Sequence, residues 1–484
     1  MTKHEDELEQ MLKEEYQEKD TSNKKTTPKN DDNVVETSFL ETKDYILEQI
    51  SNATLATHAT QFQDVDNFKF VKYSKLKGDY ELVKQFEHGN KVYVPIVDDA
   101  LSKGGVLLPT GVSEYNSTQE IIDEIYQYIS DNTELPATYE KLFPHLVLFY
   151  WLYEKFPFIP YIHFVGRTAT GKTTAMETVG SICYKPIDTT GSLTIASIFR
   201  LATTWRGTLL IDEFDNVGDN SKEITSFLKS GVSNKLVFRT EGEKTKKVTA
   251  YVVKSPKLFT SENPISDAGL QSRTIVVKME KNKRRLPLYK LNKYYEMGTS
   301  IRNKLLLWRL RNLNNIDLSK IEYGFPELEI FDRRVQQILT PIYYFSDDIT
   351  KKEILKFAEE QERETKRERR EAIDGKLFEI IVEKHTNLLD LALTGIAEEF
   401  NKGSKFPITE KRIAGVIRKI LDFDIQRVGH EKKSTVILED QAERITMLCA
   451  YYGMSPASVL SVASVASTAN EQTELAEDIF EITS

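Results

Sequence analysis

The middle of the chain is organised around one stretch, YIHFVGRTATGKT, which spans residues 161–173. Its first five residues have the β-branched and aromatic character of a buried strand. Two glycines then let the backbone curl so that its N–H groups point inward, which is how such loops hold phosphate oxygens. The following TTAMETVGSI is typical of a helix. The stretch therefore predicts a strand, a phosphate-binding loop and a helix in that order.

The pattern G-x-x-x-x-G-K-T within this stretch predicts a site for ATP and Mg²⁺. We expect Lys172 to reach the β- and γ-phosphates and the Thr173 hydroxyl to hold Mg²⁺. An ordinary glycine-containing turn is the alternative, and the flanking strand and helix argue against it. The residues predicted to bind ATP are Gly166, Arg167, Thr168, Ala169, Thr170, Gly171, Lys172, Thr173 and Thr174.

A second strand-like segment ends in two carboxylates. LLI, residues 209–211, is apolar and is followed at once by Asp212 and Glu213. In open α/β sheets, ligands bind at the carboxyl ends of the strands. Asp212 is therefore predicted to share Mg²⁺ with Thr173. Glu213 is predicted to orient and polarise the attacking water, which favours hydrolysis over nucleotide sensing.

Polar residues also follow a third predicted strand, in SPKLFTSENP, residues 255–264. Asn263 is the preferred candidate to hold the attacking water from the side opposite the strand-end glutamate. Thr260 and Ser261 are close rivals for that role. A plain turn before Pro264 is the alternative without a function.

An arginine comes directly before a fourth predicted strand, in GLQSRTIVVKM. Arg273 is predicted to stabilise charge on the γ-phosphate. If it acts on the nucleotide of a neighbouring subunit, the active protein must be an oligomer. A surface arginine in an ion pair is the alternative.

Composition limits the remaining possibilities. The chain has 484 residues, a formal net charge of −9 and two cysteines, Cys183 and Cys449. A net negative charge excludes a uniformly basic surface, so contacts with nucleic acid must come from local patches. Two cysteines exclude a disulfide scaffold and favour a cytoplasmic setting. The start has no apolar signal region, and the longest apolar run, residues 146–153, is too short to cross a membrane.

The order of these motifs resembles the AAA+ ATPases over about residues 156–345. GRTATGKT is similar to their Walker A motif, LLIDE to Walker B with its catalytic glutamate, and TSEN to sensor 1. Ser272-Arg273 is similar to the arginine-finger position. The resemblance implies an α/β fold with an AAA+ P-loop NTPase core and a helical lid, assembled as a homo-oligomer, with a hexameric ring expected.

Within that lid, RRVQQILTPIYYF resembles a segment of helicase-like ATPases carried by plasmids, phages and integrated elements. The match implies that Arg334 contacts the nucleotide from the lid, with Arg333 as the alternative. KLVFRTEGEKTKKVTAYVV, residues 235–253, is typical of a hairpin. Helicases of the MCM and superfamily-three types have a hairpin there that reaches into the ring channel. The resemblance therefore implies DNA-phosphate contacts by Lys244, Lys246 and Lys247, and a solvated tip is the alternative.

Residues 376–440 are typical of three helices followed by two strands. In the third helix, Ile413, Val416, Ile417 and Ile420 have helical spacing. Residues 402–433 contain nine Lys or Arg and four Asp or Glu. This unit resembles a winged helix-turn-helix domain, which implies DNA binding, with protein docking as the alternative. The basic residues predicted to contact DNA here are Lys411, Arg412, Arg418, Lys419, Lys432 and Lys433.

Six regions follow from these patterns. They are a disordered N-terminal segment (1–35), an accessory domain that is α+β and then helical (36–155), the ATPase core (156–285), the helical lid with a charged connector (286–375), the winged helix-turn-helix (376–440) and a flexible tail (441–484). In the accessory domain, FKFVKY, KVYVPIV and GGVLLPTG have the character of short strands.

The combined prediction is an ATP-dependent DNA helicase or translocase that serves replication of a mobile element or plasmid. One alternative is an ATP-switched DNA-binding initiator or regulator that does not unwind DNA. A protein-remodelling AAA+ ATPase is a third hypothesis. No clear aromatic-apolar-glycine pore motif lies between Phe214 and Gly231, which disfavours the third.

Overall fold

The structure is a computed structural model that describes residues 33–51, 67–189, 194–214, 221–241, 247–428 and 432–455. Most of the predicted disordered segment lies outside these ranges. The chain divides into two compact units, Met1–Ile321 and Glu322–Ser484. The secondary structure is mixed α/β, and the main sheet of the first unit is parallel.

Seven short strands form two small sheets at the start of the first unit. One sheet has the order β1-β7-β6 and the other is an antiparallel meander, β2-β3-β4-β5. The strands are β1 (Val34–Thr37), β2 (Phe39–Glu41), β3 (Tyr45–Ser51), β4 (Phe68–Ser74), β5 (Tyr80–Val83), β6 (Phe86–His88) and β7 (Lys91–Pro95).

Two of the three strands predicted in this region are confirmed, by β4 and β7. The third prediction, in GGVLLPTG, is wrong. Val106 forms only an isolated bridge with Ile187. Gly104 has a left-handed backbone with φ +75°, which interrupts an extended chain at the start of the segment.

A five-stranded parallel sheet with the order β14-β8-β13-β10-β9 is the centre of the first unit. Its strands are β8 (Tyr161–Val165), β9 (Ile187–Asp188), β10 (Leu209–Ile211), β13 (Lys257–Ser261) and β14 (Thr274–Lys278); β11 (Leu236–Glu241) and β12 (Lys247–Val252) form a separate hairpin. Every residue of β8, β10 and β13 is buried, as expected for parallel strands covered on both faces.

Helices cover this sheet. They are α1 (Asp99–Ser102), α2 (Thr118–Asn132), α3 (Ala137–Trp151), α4 (Lys172–Ser181), α5 (Ile195–Trp205), α6 (Ser221–Ser230), α7 (Ala268–Gln271) and α8 (Asn292–Asn312). The predicted helix after the phosphate loop corresponds to α4. Because the neighbouring strands β8, β13 and β14 pair in parallel register, Val165, Ser261 and Lys278 end at one edge of the sheet.

The predicted boundaries at 155/156 and 285/286 do not separate compact units, because buried charges join the segments on either side. Arg309 of α8 donates from Nε to Glu48 Oε1 of β3 at 2.7 Å. It also donates from Nη2 to Glu154 Oε1 at 2.7 Å. Lys185 Nζ lies 3.1 Å from Glu48 Oε2. Since Arg309, Glu48 and Lys185 are almost wholly buried, helix α8 is part of the first compact unit.

The second unit is mainly helical and ends in a small hairpin and a helix. Helix α9 (Leu318–Tyr323) contains the division between the two units. The elements that follow are α10 (Arg333–Phe345), α11 (Asp348–Glu371), α12 (Ile373–Thr386), α13 (Leu393–Asn401), α14 (Glu410–Val416) with a π-helical turn (Ile417–Leu421), β15 (Asp424–Val428), β16 (Lys433–Ile437) and α15 (Ala442–Tyr452). The predicted order of three helices and two strands is present from α12 to β16.

Helix α15 begins at Ala442, within the stretch 441–484 that is predicted as a tail. Ile445, Leu448, Cys449 and Tyr452 of α15 are buried in the core that α12, α13 and α14 also form. Residues 456–484 lie outside the described ranges. None of the helices that the structure describes has both the length and the apolar character needed to cross a membrane.

Candidate functional site

The loop between β8 and α4 contains two residues with a left-handed backbone. Gly166 follows β8, and a Cβ atom at this position would lie 2.6 Å from the carbonyl oxygen of Met279. Gly171 precedes α4 with a left-handed backbone, φ +81°, and Ala169 is also left-handed with φ +63°. Glycine is needed at the first position for close approach and is favoured at the second by its conformation.

The side chains of this loop fold back on its own carbonyl groups. Lys172 Nζ donates to the Gly166 oxygen at 2.7 Å and to the Arg167 oxygen at 3.0 Å. Thr170 Oγ1 donates to the Arg167 oxygen at 2.8 Å. Thr168 Oγ1 donates to Glu262 Oε1. The Lys172 ammonium group thus lies across the first residues of the loop, and Thr168 contacts a carboxylate from a different strand end.

The first two predicted motifs meet at Thr173 and Asp212. The Thr173 hydroxyl donates to Asp212 at 3.1 Å from each carboxylate oxygen. Asp212 follows β10 directly and is half-buried. A hydroxyl and a carboxylate are hard oxygen ligands of the kind that Mg²⁺ binds. These two side chains therefore suit the predicted metal ion.

Thr260 connects the two carboxylate residues. It is fully buried in β13 and donates from Oγ1 to Asp212 Oδ1. Thr260 Oγ1 also accepts a hydrogen bond from the Glu213 backbone N–H at 2.9 Å. Glu213 is exposed and has a left-handed backbone, φ +48°, which is unfavourable for a residue other than glycine. Thr260 therefore fixes the Asp212 side chain and holds the strained Glu213 backbone.

Sequence reasoning considered Thr260 only as a rival for holding the attacking water and missed this positioning contact. The sequence does indicate a polar threonine at the end of a buried strand. It does not indicate that this threonine contacts Asp212, because the two residues are 48 positions apart in the chain.

Asn263 lies in the exposed turn after β13. Its carbonyl oxygen accepts a hydrogen bond from Ser261 Oγ at 2.6 Å. Ser261 Oγ also lies 2.5 Å from His163 Nε2 in the neighbouring strand β8. Ser261 is thus directed into the sheet, whereas Thr260 contacts the carboxylates. The water-binding role of Asn263 stays a prediction.

Arg273 lies at the opposite end of the sheet from the loop. Its carbonyl oxygen accepts from the Tyr161 N–H at 3.2 Å, at the first residue of β8, whereas the loop follows the last residue. Five residues of strand at about 3.3 Å each separate the two ends by roughly 16 Å. Arg273 Nη1 donates to the Gly269 oxygen, and its Nε is buried without a hydrogen-bond partner among the described residues. The structure does not bring Arg273 to the loop of its own chain.

The remaining nucleotide candidate, Arg334, belongs to the second unit. It lies in the first turn of α10 and donates from Nη1 to Gln337 Oε1 at 2.8 Å. The alternative, Arg333, is the first residue of the same helix. A nucleotide contact by either residue stays a prediction.

The hairpin predicted before the third strand of the site is present as β11 and β12, paired from Leu236↔Val252 to Glu241↔Lys247. Lys244 and Lys246 lie outside the described residues, and only the backbone of Lys247 is described. One face of the hairpin exposes large apolar side chains. Leu236, Phe238 and Val248 are 52%, 65% and 62% exposed.

The six basic residues predicted to contact DNA in the second unit are all exposed. Two lie at the start of the third helix, two in its π-helical last turn, and two at the start of the second hairpin strand; these are Lys411, Arg412, Arg418, Lys419, Lys432 and Lys433. Arg418 donates to the Ile425 carbonyl at 3.4 Å, so its guanidinium lies beside the hairpin. The third helix and the hairpin thus present basic side chains in one compact unit.

Comparison with known proteins gives no match to a family model and none to a curated protein. Among solved structures, the chain is similar to one described as the active helicase Cch of SCCmec type IV, with 13% identity, a TM-score of 0.41, and coverage of 85% of this chain and 80% of the other. It is also similar to the apo form of the NrS-1 C-terminal region, with 10% identity, a TM-score of 0.37, and coverage of 81% and 96%.

Proposed function

We propose that this chain hydrolyses ATP and uses the energy to move along or unwind DNA, as an oligomeric AAA+ helicase or translocase in replication of a mobile element or plasmid. The observation that carries the proposal is the 3.1 Å contact between the Thr173 hydroxyl and both carboxylate oxygens of Asp212. It joins a curled glycine loop to the end of the second strand, where a nucleotide and its metal ion bind in such sheets.

In this proposal each residue at the loop has a separate task. The loop N–H groups bind phosphate oxygens, and the Lys172 ammonium group exchanges its two carbonyl acceptors for the β- and γ-phosphates. Thr173 and Asp212 hold Mg²⁺, which neutralises phosphate charge when bound. Glu213, on the neighbouring backbone position, orients the attacking water and accepts its proton.

The nucleotide tests use two substitutions with opposite expected effects on binding. Lys172→Ala should abolish ATP binding and hydrolysis, because the loop loses the ammonium group that is proposed to bind the β- and γ-phosphates. Glu213→Gln should still bind ATP but hydrolyse it at least a hundredfold more slowly. Binding is measured with a fluorescent ATP analogue and hydrolysis by phosphate release. Normal ATP hydrolysis by both variants would exclude this loop as the active site.

The position of Arg273 supports action between subunits. Because Arg273 lies at the end of β8 that is remote from its own loop, any nucleotide that it contacts belongs to a neighbouring copy. Arg273→Ala should lower ATP turnover more than ATP affinity. Mixing Arg273→Ala with Lys172→Ala subunits should restore part of the turnover, since each variant supplies the group that the other lacks. A mixture no more active than the separate variants argues against this arrangement.

Support for DNA as the partner comes from the exposed basic residues of the second unit. A helix and a hairpin strand that both expose lysine and arginine suit the phosphates of a duplex. DNA should stimulate ATP hydrolysis. Replacing Lys411 and Arg412 by Glu should lower the affinity for DNA and make that affinity less dependent on salt concentration, without changing ATP hydrolysis in the absence of DNA. A strand-displacement assay then separates a helicase from an initiator, which would be stimulated by DNA yet displace no strand.

A further inference from the structure

One carboxylate from another strand end contacts the loop between β8 and α4. Glu262 follows the last residue of β13, and its Oε1 accepts a hydrogen bond from Thr168 Oγ1 of the loop. Both residues are exposed, so the contact does not belong to the packed core. The proposed function assigns roles to the carboxylates of Asp212 and Glu213 but none to Glu262.

The expected phosphate contacts of Lys172 indicate which end of a nucleotide would lie near this carboxylate. The Lys172 ammonium group contacts the carbonyl oxygens of Gly166 and Arg167, the two residues immediately before Thr168. In loops of this kind the lysine reaches the β- and γ-phosphates. The terminal phosphate of a triphosphate therefore approaches the Arg167-Thr168 side of the loop, where Thr168 donates a hydrogen bond to Glu262.

Two negative groups then compete for the same side of the loop. A bound diphosphate ends before the γ-phosphate position, so its charge lies farther from Glu262. A triphosphate adds a charged group next to the Glu262 carboxylate, and the two repel each other at a distance shorter than the Debye length of about 10 Å at 0.1 M salt. Thr168 Oγ1 can donate either to Glu262 or to the phosphate that displaces it.

We propose that Glu262 is a specificity-determining residue of the nucleotide site, which lowers the affinity for a nucleoside triphosphate relative to the diphosphate. Binding of the terminal phosphate displaces the carboxylate from Thr168, and departure of that phosphate lets the contact form again. This inference rests on the proposed function, since it requires nucleotide binding at the same loop. It concerns the balance between ATP and ADP, which the proposed function leaves open.

The test measures affinities for ADP and for a slowly hydrolysed ATP analogue, both with Mg²⁺, by isothermal titration calorimetry on the full chain. Glu262→Gln removes the charge and keeps a hydrogen-bonding side chain of the same size. It should bind the triphosphate five- to tenfold more tightly, which corresponds to about 1–1.4 kcal/mol. Its affinity for ADP should stay within twofold of that of the unsubstituted protein.

Glu280→Gln is the matched control. Glu280 follows β14 at the same edge of the sheet, its side chain is 80% exposed, and it lies 3.8 Å from Lys283. Glu280→Gln removes one negative charge from that edge, but Glu280 pairs with Lys283 and Glu262 is the carboxylate that contacts Thr168, so this control should change the ratio of the two affinities less than Glu262→Gln does. Glu262→Ser is a second variant and should change the ratio in the same direction as Glu262→Gln. In 1 M salt, the difference between the unsubstituted protein and Glu262→Gln should shrink.

The possible outcomes separate this inference from the proposed function. If the unsubstituted protein binds both nucleotides and Glu262→Gln leaves their affinity ratio within twofold, the role of Glu262 is wrong and the nucleotide site stands. Weaker binding of the triphosphate by Glu262→Gln would also overturn the role. If the unsubstituted protein binds neither nucleotide, both proposals fail.

Discussion

Replacing Thr260 by valine tests the contact that joins the two carboxylate residues. Valine has nearly the same shape but cannot accept the hydrogen bond from the Glu213 N–H or donate to Asp212. Thr260 is fully buried, so both of these contacts form inside the packed sheet. A buried group that loses its hydrogen-bond partner costs about 1–3 kcal/mol.

The same energy sets the expected effect on ATP hydrolysis. Without Thr260 Oγ1, the Glu213 backbone loses the partner that holds its left-handed conformation, which itself costs about 1–2 kcal/mol. Glu213 then leaves the position from which it would orient the attacking water. Because about 1.4 kcal/mol changes a rate tenfold, Thr260→Val should lower kcat by about tenfold to a hundredfold. KM should change less than threefold, since the substitution leaves the proposed phosphate-binding loop intact.

The assay is steady-state phosphate release over a range of ATP concentrations, with circular dichroism to confirm folding. Thr260→Ser is the control, because it keeps the hydroxyl and should retain kcat within about threefold. A Thr260→Val protein that is folded and hydrolyses ATP within twofold of the unsubstituted rate would refute the positioning role. A fall in KM alone would also disagree with it.

Three further predictions concern other contacts. Arg309→Met should lower the free energy of unfolding by about 3–5 kcal/mol in urea denaturation, because Glu48 is left buried without its strongest partner, and an unchanged midpoint would contradict this. Gly166→Ala should weaken ATP binding at least tenfold in titration calorimetry, since the added methyl group collides with the Met279 carbonyl; undiminished affinity would show that the loop can shift. Both cysteines, Cys183 and Cys449, should resist a thiol reagent until the protein unfolds, because burial raises the pKa of each thiol, and rapid labelling of the native protein would contradict their burial.

Local patterns were sufficient to predict the elements around the loop. The apolar run YIHFV is strand β8, the helix after the loop begins at Lys172, and LLI is strand β10. Each of these features is encoded within a few consecutive residues. The motifs also predicted that Thr173 and Asp212 share one metal ion, and the structure has the two side chains in contact.

Features that depend on distant residues could not be predicted in the same way. Arg309 and Glu48 are 261 residues apart in the sequence, and a buried ion pair leaves no periodic pattern in either segment. The predicted regions at 36–155, 156–285 and the start of 286–375 all contribute to the one compact unit Met1–Ile321. Helix α15 is different, because Ile445, Leu448, Cys449 and Tyr452 do have helical spacing. The low-complexity sequence that follows it obscured that signal.

The buried charges around Arg309 decide how the protein can be shortened for biochemical work. Both of its acidic partners, Glu48 and Glu154, precede residue 156, where the predicted nucleotide-binding core begins. A fragment that starts at residue 156 would bury the Arg309 guanidinium without either Glu48 or Glu154 to pair with it. The smallest fragment that keeps both ion pairs of Arg309 must therefore include strand β3 and the end of the helical segment that precedes residue 156.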